Sequence, residues 1–390
     1  MTSMTMVEIG AIEHELRQLW SESAEKAPDG QAVIRALTLN LLACTHDAEH
    51  ADRMTDAIQQ LTASHPSRAI LALLQPDAPE PRLDGFVQAN CLLSRRGTPQ
   101  VCGEQITLDA RGSAVQQVVS LILALLVPDL PVVLWINNPD PFAEPLLARL
   151  RSVVDRVIVN SQAFAQPTSA FVQMAELERA VSSGGLALHT FAISDLTWAS
   201  LTPWRELTAQ FFDTRPLLPH LRRIDHVTIT YQVPSGADNP VAGLLLAGWL
   251  ASCLDWMPLE DAFSLEPDLI RFYLRRPAVG VGTGAIRLVT LDLRPVEAAS
   301  GATPGLLALH LEALDGVTAS FRVERAETPG YALTTATIAG MEPISRLARC
   351  EEPSLADLLA AELRLRHRDQ TFSDALRVAG LLAARLRRDM

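Results

Sequence analysis

Lysine is almost absent from this sequence: Lys26 is the only one among 390 residues, so arginine carries nearly all of the positive charge. Chemistry that requires a lysine in a folded pocket therefore has a single candidate, which lies in a polar stretch near the N-terminus. The shortage excludes the P-loop of nucleotide-hydrolysing proteins, because that motif requires a lysine. Glycine is also missing between Gly30 and Gly85, whereas a dinucleotide-binding fingerprint needs glycines directly after the first strand.

Three further classes of protein are disfavoured by what is scarce. The net charge of -12 argues against a nucleic-acid-binding protein, because such a protein needs a basic surface. The longest apolar stretch, residues 118–136, is interrupted by Pro128, Asp129 and Pro131, whereas a membrane span needs about 20 unbroken apolar residues. The five cysteines contain no Cys-x-x-Cys pair, so a finger-type zinc site is not expected. No basic run precedes an apolar block at the N-terminus, and we expect a cytoplasmic protein without nucleic-acid or membrane partners.

The first half of the chain alternates between strand-like and helical segments. After a predicted amphipathic helix, apolar runs at residues 32–44 and 68–74 flank a helical segment at residues 47–64. The same strand–helix–strand order recurs over residues 131–160. This alternation is typical of a layered α/β domain with a mainly parallel sheet. We predict an N-terminal helix and α/β domain over residues 1–185, which ends at a Ser-Ser-Gly-Gly sequence.

The second half, residues 186–390, predicts an α+β domain. Two helical segments, at residues 202–212 and 241–254, flank one strand-like segment, and the other strand-like segments follow them. Several alternating segments between residues 269 and 323 are typical of an antiparallel sheet. Two arginine-rich helices are expected to close the chain.

The end of this acidic chain is locally basic. Arg364, Arg366 and Arg368 occur together in the predicted closing helices. They are candidates for a docking face that contacts an acidic partner surface, because arginine pairs with carboxylates in a bidentate manner. The alternative interpretation is an ordinary solvated helix face.

A second set of candidate partner-binding residues lies in one helix-forming segment. Thr202 is placed to cap a helix, and Pro203 suits the first helical position. Trp198, Trp204 and Arg205 are candidates for a binding surface, because tryptophan and arginine dominate the energetics of protein interfaces. The alternative interpretation is that the rings are buried in the core.

Cys91 and Cys102 occupy the two strands of a predicted hairpin. If Arg96-Gly97 forms a two-residue turn, opposed residues have numbers that add to 193, and these two cysteines face each other. Opposed residues lie about 4.5–5.5 Å apart between Cα atoms, a distance that a disulfide bridges. Two interpretations remain: a reversible regulatory bridge, or two separate half-buried thiols, since a reducing cytosol disfavours lasting disulfides.

Two short motifs have simpler competing explanations. His46-Asp-Ala-Glu-His50 has the order of an inverted zinc-protease motif. It also fits the polar first turn of a helix, and no third ligand is evident. The glycines of residues 280–284 precede a strand-like segment rather than a helix, which favours a loop over a phosphate site. The sequence therefore predicts no catalytic residues, no metal and no cofactor.

Three segments carry a resemblance to a known family: Trp198-Ala-Ser-Leu-Thr-Pro-Trp-Arg-Glu-Leu207, Pro128-Asp-Leu-Pro-Val-Val-Leu-Trp135 and Arg156-Val-Ile-Val-Asn-Ser161. In them the chain resembles the glucose-6-phosphate dehydrogenase assembly proteins, the OpcA family. The resemblance implies a non-catalytic partner that binds glucose-6-phosphate dehydrogenase and promotes its assembly or active state in the oxidative pentose phosphate pathway. Because cyanobacterial members respond to thioredoxin through cysteines, it also implies thioredoxin as a partner. The alternative hypothesis is an enzyme with an unrecognised nucleotide or sugar-phosphate site in the α/β domain.

One further segment resembles the dehydrogenase itself. Arg223-Ile-Asp-His226 is similar to the start of the active-site signature of glucose-6-phosphate dehydrogenase, which continues Tyr-Leu-Gly-Lys. Here the chain continues Val-Thr-Ile-Thr, which alternates as a strand. Because the dehydrogenase needs that lysine to bind its substrate, these residues favour a loop that enters a strand over a catalytic site.

Overall fold

Two β-sheets organise the chain, and each belongs to a separate unit. A computed structural model describes residues 9–25, 33–62, 64–91, 100–183, 190–233, 239–277, 287–298, 305–314 and 316–389. Unit 1 comprises Met1–Ala165, Ala180–Leu196 and Pro353–Arg368, and unit 2 comprises Gln166–Arg179, Thr197–Glu352 and Asp369–Met390. This division differs from the single boundary that we placed at residue 185, because one late segment belongs to unit 1 and one early segment to unit 2.

Helices and strands follow one another along the whole chain. Within the described residues the α-helices are α1 (Ile9–Glu25), α2 (Ala48–Leu61), α3 (Val118–Leu125), α4 (Pro145–Leu150), α5 (Pro167–Ser182), α6 (Leu196–Ser200), α7 (Thr202–Gln210), α8 (Leu218–Leu221), α9 (Val241–Cys253), α10 (Leu355–Leu363) and α11 (Gln370–Asp389). The strands are β1 (Val33–Arg35), β2 (Leu39–Thr45), β3 (Ser67–Gln75), β4 (Arg82–Cys91), β5 (Gln100–Arg111), β6 (Val132–Ile136), β7 (Arg156–Val159), β8 (Ala192–Asp195), β9 (His226–Val233), β10 (Met257–Glu266), β11 (Leu269–Arg276), β12 (Arg287–Glu297), β13 (Gly305–Ala313), β14 (Ala319–Arg325), β15 (Tyr331–Ile338) and β16 (Ile344–Arg349). None of the described helices has the length and apolar character needed to cross a bilayer.

Sheet A lies in unit 1 and has the strand order β1-β5-β3-β2-β6-β7-β8, with β4 paired to β5. Its pairs are parallel except for β4 with β5. The predicted α/β architecture with a mainly parallel sheet is therefore confirmed. From β2 the chain continues to β3 on one side, whereas β6 lies on the other. This arrangement makes β2 and β6 the point where strand order reverses, and open α/β sheets bind ligands at the carboxyl ends of such strands.

The core of unit 1 includes the interface between α2 and α10. Every side chain of β2 is buried, as expected for a strand that is covered on both faces. Met54 and Ile58 of α2 and Leu359 of α10 share one buried cluster with Leu41 and Trp135 of the sheet. The apolar stripe of α10 thus reaches the core of unit 1 from a position late in the sequence, where we had assigned it to the second domain.

Sheet B lies in unit 2 and has the strand order β10-β11-β12-β9-β13-β14-β15-β16. Only β12 with β9 is parallel among these described pairs. The predicted antiparallel sheet of an α+β domain is therefore confirmed. Its alternation is clear in β9, where Val227, Ile229, Tyr231 and Val233 are buried and the residues between them are partly exposed.

Helix α9 is apolar on all sides, which is typical of a helix in the interior of a domain. It packs against α11, and Gly248 lies at a point of close approach between the two helices. A Cβ atom at this position would meet the carbonyl oxygen of Ala375 and would lie 2.9 Å from the Cβ of Ala379. Glycine in a helix interior lowers stability by about 0.5–1 kcal/mol relative to alanine. It occurs here despite that cost because the close contact leaves no room for a Cβ atom.

Replacing Gly248 with alanine should destabilise the protein, because the added methyl group would collide with the backbone of α11. Overpacking of this kind costs about 1–3 kcal/mol, which urea unfolding followed by circular dichroism resolves. Gly243→Ala in the same helix is the matched control, because its Cβ would find Leu293 Cδ2 at 3.4 Å, an ordinary contact. The control should be neutral or slightly stabilising, since alanine has the higher helix propensity. Equal losses in both variants would contradict the argument.

Candidate functional site

The tryptophans that suggested partner binding lie in the core of unit 2. Trp198 and Trp204 are 3% and 5% exposed. Trp198 donates its Nε1–H to Asp369 Oδ2 at 3.0 Å, and the guanidinium carbon of Arg205 lies 3.3 Å from the centre of the Trp198 ring. Rings this deeply buried present almost no surface to a partner. The structure therefore favours the core interpretation for both tryptophans, and Arg205 covers one of them.

The start of α7 differs from the prediction by one residue. Leu201 rather than Thr202 is the N-cap, and Pro203 lies in the first turn as expected. The hydroxyl of Thr202 accepts a hydrogen bond from Arg205 Nη2 at 2.9 Å instead of capping the helix. The same arginine therefore contacts both the helix start and the Trp198 ring.

Arg364, Arg366 and Arg368 do not lie within the closing helices to which we assigned them. Helix α10 ends at Leu363, Arg364 is its C-cap, and the other two arginines precede α11. We call residues 364–368 the arginine connector. Arg364 and Arg366 are exposed and Arg368 is half-buried, so the docking prediction now rests on a short irregular segment instead of a helix face.

Arg156 attaches the arginine connector to sheet A. Its guanidinium lies at the start of β7 and the residue is 5% exposed. Nη1 donates to Ser194 Oγ at 2.7 Å, and Nη2 donates to the carbonyl oxygens of Leu365 and His367, each at 2.8 Å. Carbonyls just beyond a helix end need such partners. The arginine supplies them, which allows α10 to end without glycine or proline.

Cys91 and Cys102 face each other across the β4–β5 ladder and form a disulfide. Their Cα atoms are 4.2 Å apart. Opposed residues of the ladder have numbers that add to 193 from one end to the other, as the predicted turn requires. The turn at Arg96-Gly97 itself lies outside the described residues. Cys102 is buried and Cys91 is partly exposed, while a regulatory role for the pair stays a prediction.

Glu104, two residues beyond Cys102, connects three elements of unit 1. Its side chain is fully buried and accepts hydrogen bonds from Trp20 Nε1 at 3.0 Å, Arg35 Nη2 at 2.9 Å and Arg68 Nε at 2.5 Å. Burial alone would raise the pKa of Glu104, but the bonds from Arg35 and Arg68 outweigh burial and hold the pKa below its ordinary value. These donors come from α1, β1 and β3, so no local sequence pattern indicates the network.

The carboxyl ends of β2 and β6 are bridged by the protein's own polar groups. His46 Nε2 lies 2.9 Å from Glu144 Oε2, and Asn138 Nδ2 donates to the same oxygen at 2.7 Å. Asp47 caps α2 by accepting from the backbone N–H of His50 at 2.9 Å, which agrees with the polar-turn interpretation of the motif. Among the described residues no group of three or more His, Cys, Asp or Glu side chains is arranged to bind a metal ion.

His226 begins strand β9, as expected for a loop that enters a strand. Its Nε2 lies 3.2 Å from Asp292 Oδ2, and Arg271 donates to Asp292 through Nε at 2.7 Å and Nη2 at 2.8 Å. Burial would raise the pKa of Asp292, but Arg271 outweighs it and lowers that pKa. His226 therefore belongs to an ion-pair network of sheet B. The glycines of residues 280–284 lie outside the described residues.

Two family models together match most of this chain. Residues 58–176 match the model described as the glucose-6-phosphate dehydrogenase subunit N-terminal domain, and residues 191–376 match the model of the corresponding C-terminal domain. The chain belongs to the OpcA family. The two matches include Cys91, Cys102 and the whole arginine connector.

Individual OpcA proteins are similar to this chain over part of their length. The protein of Nostoc punctiforme is 32% identical over 248 residues, that of Synechocystis sp. 28% over 245, and that of Synechococcus elongatus 29% over 189. All three carry names as candidate OxPP cycle proteins. The alignments cover 63%, 63% and 48% of this chain and 47%, 46% and 39% of the relatives, so the chain spans about half the length of the curated relatives it matches.

One solved structure superposes weakly on this chain. A crystal structure of a candidate oxidoreductase from Bacteroides fragilis superposes with a TM-score of 0.43 and 11% identity, and the superposition covers 91% of this chain and 98% of that one. The likeness is too weak to support an argument about function.

Replacing Glu104 with glutamine should destabilise this OpcA-family protein by about 3 kcal/mol at pH 7, because buried Arg68 loses its buried carboxylate partner and keeps only the partly exposed Glu13. The folded-state pKa of Glu104 lies below the unfolded value of about 4.3, so its stabilisation is present above that pH and is lost as the pH falls through the folded pKa. Urea unfolding at a series of pH values should therefore show a weaker acid dependence in Glu104→Gln. Glu49→Gln, which changes an exposed carboxylate, is the control and should behave as the unmodified protein does.

Proposed function

We propose that this protein binds glucose-6-phosphate dehydrogenase and favours its assembled, active state without catalysing a reaction itself. The observation that carries the proposal is the match of residues 58–176 and 191–376 to two domains described as parts of a glucose-6-phosphate dehydrogenase subunit. The relatives' name, OxPP cycle protein OpcA, supports a role in the oxidative pentose phosphate pathway. We place this role in the cytoplasm, as expected from the sequence.

The physical content of such a role is thermodynamic linkage. A partner shifts the dehydrogenase toward one conformation or assembly only by the difference between its affinities for the two states. Coupling free energies of this kind are typically about 1–3 kcal/mol. This role requires no reactive group on the present protein, because its effect on the dehydrogenase comes entirely from preferential binding to one of the two states.

The docking face that we propose is the exposed part of the arginine connector. Within the described residues, neither Arg364 nor Arg366 makes an ion pair. The chain as a whole has a net charge of -12, so a local group of arginines selects for an acidic patch on the partner. Arginine suits this task, since its planar guanidinium binds carboxylates through two parallel hydrogen bonds. Trp198 and Trp204 are omitted from the face because they are buried.

We also propose that thioredoxin reduces the Cys91–Cys102 bridge. A dithiol reductant attacks the disulfide through a mixed-disulfide intermediate, so that two thiols form here and one disulfide forms in the reductant. Cys91 is the partly exposed end of the bridge. Helix α1 packs against β4, so opening the bridge would loosen the strand that supports this helix.

Reduction of the bridge should lower the midpoint of thermal unfolding, because a closed loop of this length stabilises a protein by about 3 kcal/mol. Scanning calorimetry with and without thioredoxin and its reductase measures the shift. Cys91→Ser should match the reduced protein and should not respond to the reductant. Cys253→Ser is the control, since Cys253 is a free exposed cysteine, and it should keep the response. A response that persists in Cys91→Ser would assign the effect to another cysteine.

Reversing Arg364 and Arg366 to glutamate should slow association with the dehydrogenase by about ten-fold at low ionic strength, because charges at the rim of an interface act mainly on the association rate. The salt dependence of that rate should also become flatter. Biolayer interferometry with the dehydrogenase of the same organism gives both quantities, and circular dichroism checks that the fold is unchanged.

The matched control reverses Arg53 and Arg151, two exposed arginines elsewhere in unit 1. It changes the net charge by the same amount and should leave the association rate nearly unchanged, because solvent screens distant surface charges. If the unmodified protein neither binds the dehydrogenase nor changes its kinetics at any ratio, the proposed function is wrong. If it binds and the reversed variant associates equally fast, only the docking face is wrong.

A further inference from the structure

A cavity of about 720 Å³ opens in unit 1 at the amino-terminal edge of sheet A. Its walls include Leu39 and Arg156 at the starts of β2 and β7, Ala192 at the start of β8, and Arg366 and Arg368 of the arginine connector. Pockets that bind small molecules usually have volumes of about 300–1,000 Å³, so a metabolite fits this space. The cavity lies at the edge opposite to the carboxyl ends where enzymes of this architecture usually carry out chemistry.

The cavity is positively charged although the protein is acidic. Arg156, Arg366 and Arg368 line it, and Asp155 is the single acid among the described lining residues. His65 and His367 add two imidazoles that can donate hydrogen bonds. Such a wall attracts an anion, and the net charge of -12 for the whole chain makes this local reversal of sign unusual.

A further arginine lies close to the same wall. Arg364 lies between Leu363 and Leu365, which both line the cavity. Burial, followed by the charge of Arg364, lowers the pKa of His65 in the same wall. Neutral His65 can still donate a hydrogen bond to an anion without adding to the charge that must be balanced.

The cationic wall is organised in advance. Two bonds from Arg156 to the carbonyls of Leu365 and His367 fix the backbone on both sides of Arg366. Arg368 is held by a bond from its Nη1 to Ser182 Oγ at 2.7 Å. Arg366 makes no ion pair with any described residue. The backbone is thus held in place around Arg366, whose guanidinium is available to a ligand. Pre-organisation of this kind lowers the entropic cost of binding.

We propose that this cavity binds a small metabolite that carries a phosphate monoester. A guanidinium fork matches the geometry of phosphate oxygens, and several arginines together suit a dianion better than a single carboxylate. The volume leaves room for an organic group of about the size of a sugar beside the phosphate. The site goes beyond the proposed function, because it requires the protein alone and no dehydrogenase.

The test is a titration of the full-length protein with glucose 6-phosphate as the probe, followed by ³¹P NMR and by the shift in thermal unfolding midpoint at constant ionic strength. Saturable binding is expected, and Arg366→Gln should weaken it roughly ten-fold, the size of one lost charge-assisted contact. Arg151→Gln, which removes an exposed arginine that does not line the cavity, should bind as the unmodified protein does. Without the probe, all three proteins should unfold at the same temperature.

Three outcomes would overturn the proposal. Binding that does not saturate would show only general attraction to positive charge. Equal weakening by Arg366→Gln and Arg151→Gln would place the anion elsewhere. Inorganic phosphate that binds as tightly as glucose 6-phosphate would rule out the monoester and leave a site for free phosphate. Because no dehydrogenase is present in the titration, none of these outcomes bears on the proposed assembly role.

Discussion

The buried guanidinium of Arg156 determines how the last part of unit 1 is built. It donates to Ser194 on the sheet and to the carbonyls of Leu365 and His367 in the connector. A buried charged donor that loses its partners costs several kcal/mol, so the sheet edge and the connector stabilise each other. The end of α10, the course of the arginine connector and the cavity beside it all depend on these bonds. Features of the surface that we propose to be functional thus follow from one interaction in the interior.

Local periodicity was sufficient to predict much of the architecture. The strand–helix–strand alternation before residue 160 and the alternation of β9 are patterns of adjacent residues, and the energies that decide them are local. The β4–β5 register could also be predicted, because a two-residue turn fixes every opposed pair of a hairpin. That register placed Cys91 opposite Cys102 and made a bridge geometrically feasible, but it left open whether the two thiols would join.

Long-range contacts account for what the sequence did not predict. Helix α10 follows the strands of sheet B in sequence, yet its leucines join the core of unit 1, and no neighbouring residue reveals that choice. Tryptophan is a residue type that is common at interfaces, but Trp198 is buried and donates a hydrogen bond to Asp369. The residues that end α10 contain neither glycine nor proline. The helix end is stabilised instead by the hydrogen bonds from Arg156, a residue more than half the chain length away in sequence. Glu104 is likewise recognisable only once its partners from three elements are placed around it.

The proposed docking face and the proposed cavity share Arg366, and this shared residue gives the sign of any coupling between them. A phosphate dianion in the cavity would neutralise part of the positive charge that an acidic partner meets at the connector. Its presence would therefore weaken docking, and linkage requires that docking weaken the binding of the anion by the same factor. Arg364 does not line the cavity, so its guanidinium stays available for direct contact with the partner in either case. The loss would therefore fall mainly on the share of the interaction that Arg366 provides, so the proposed metabolite would act as a partial antagonist of docking rather than as an all-or-none switch.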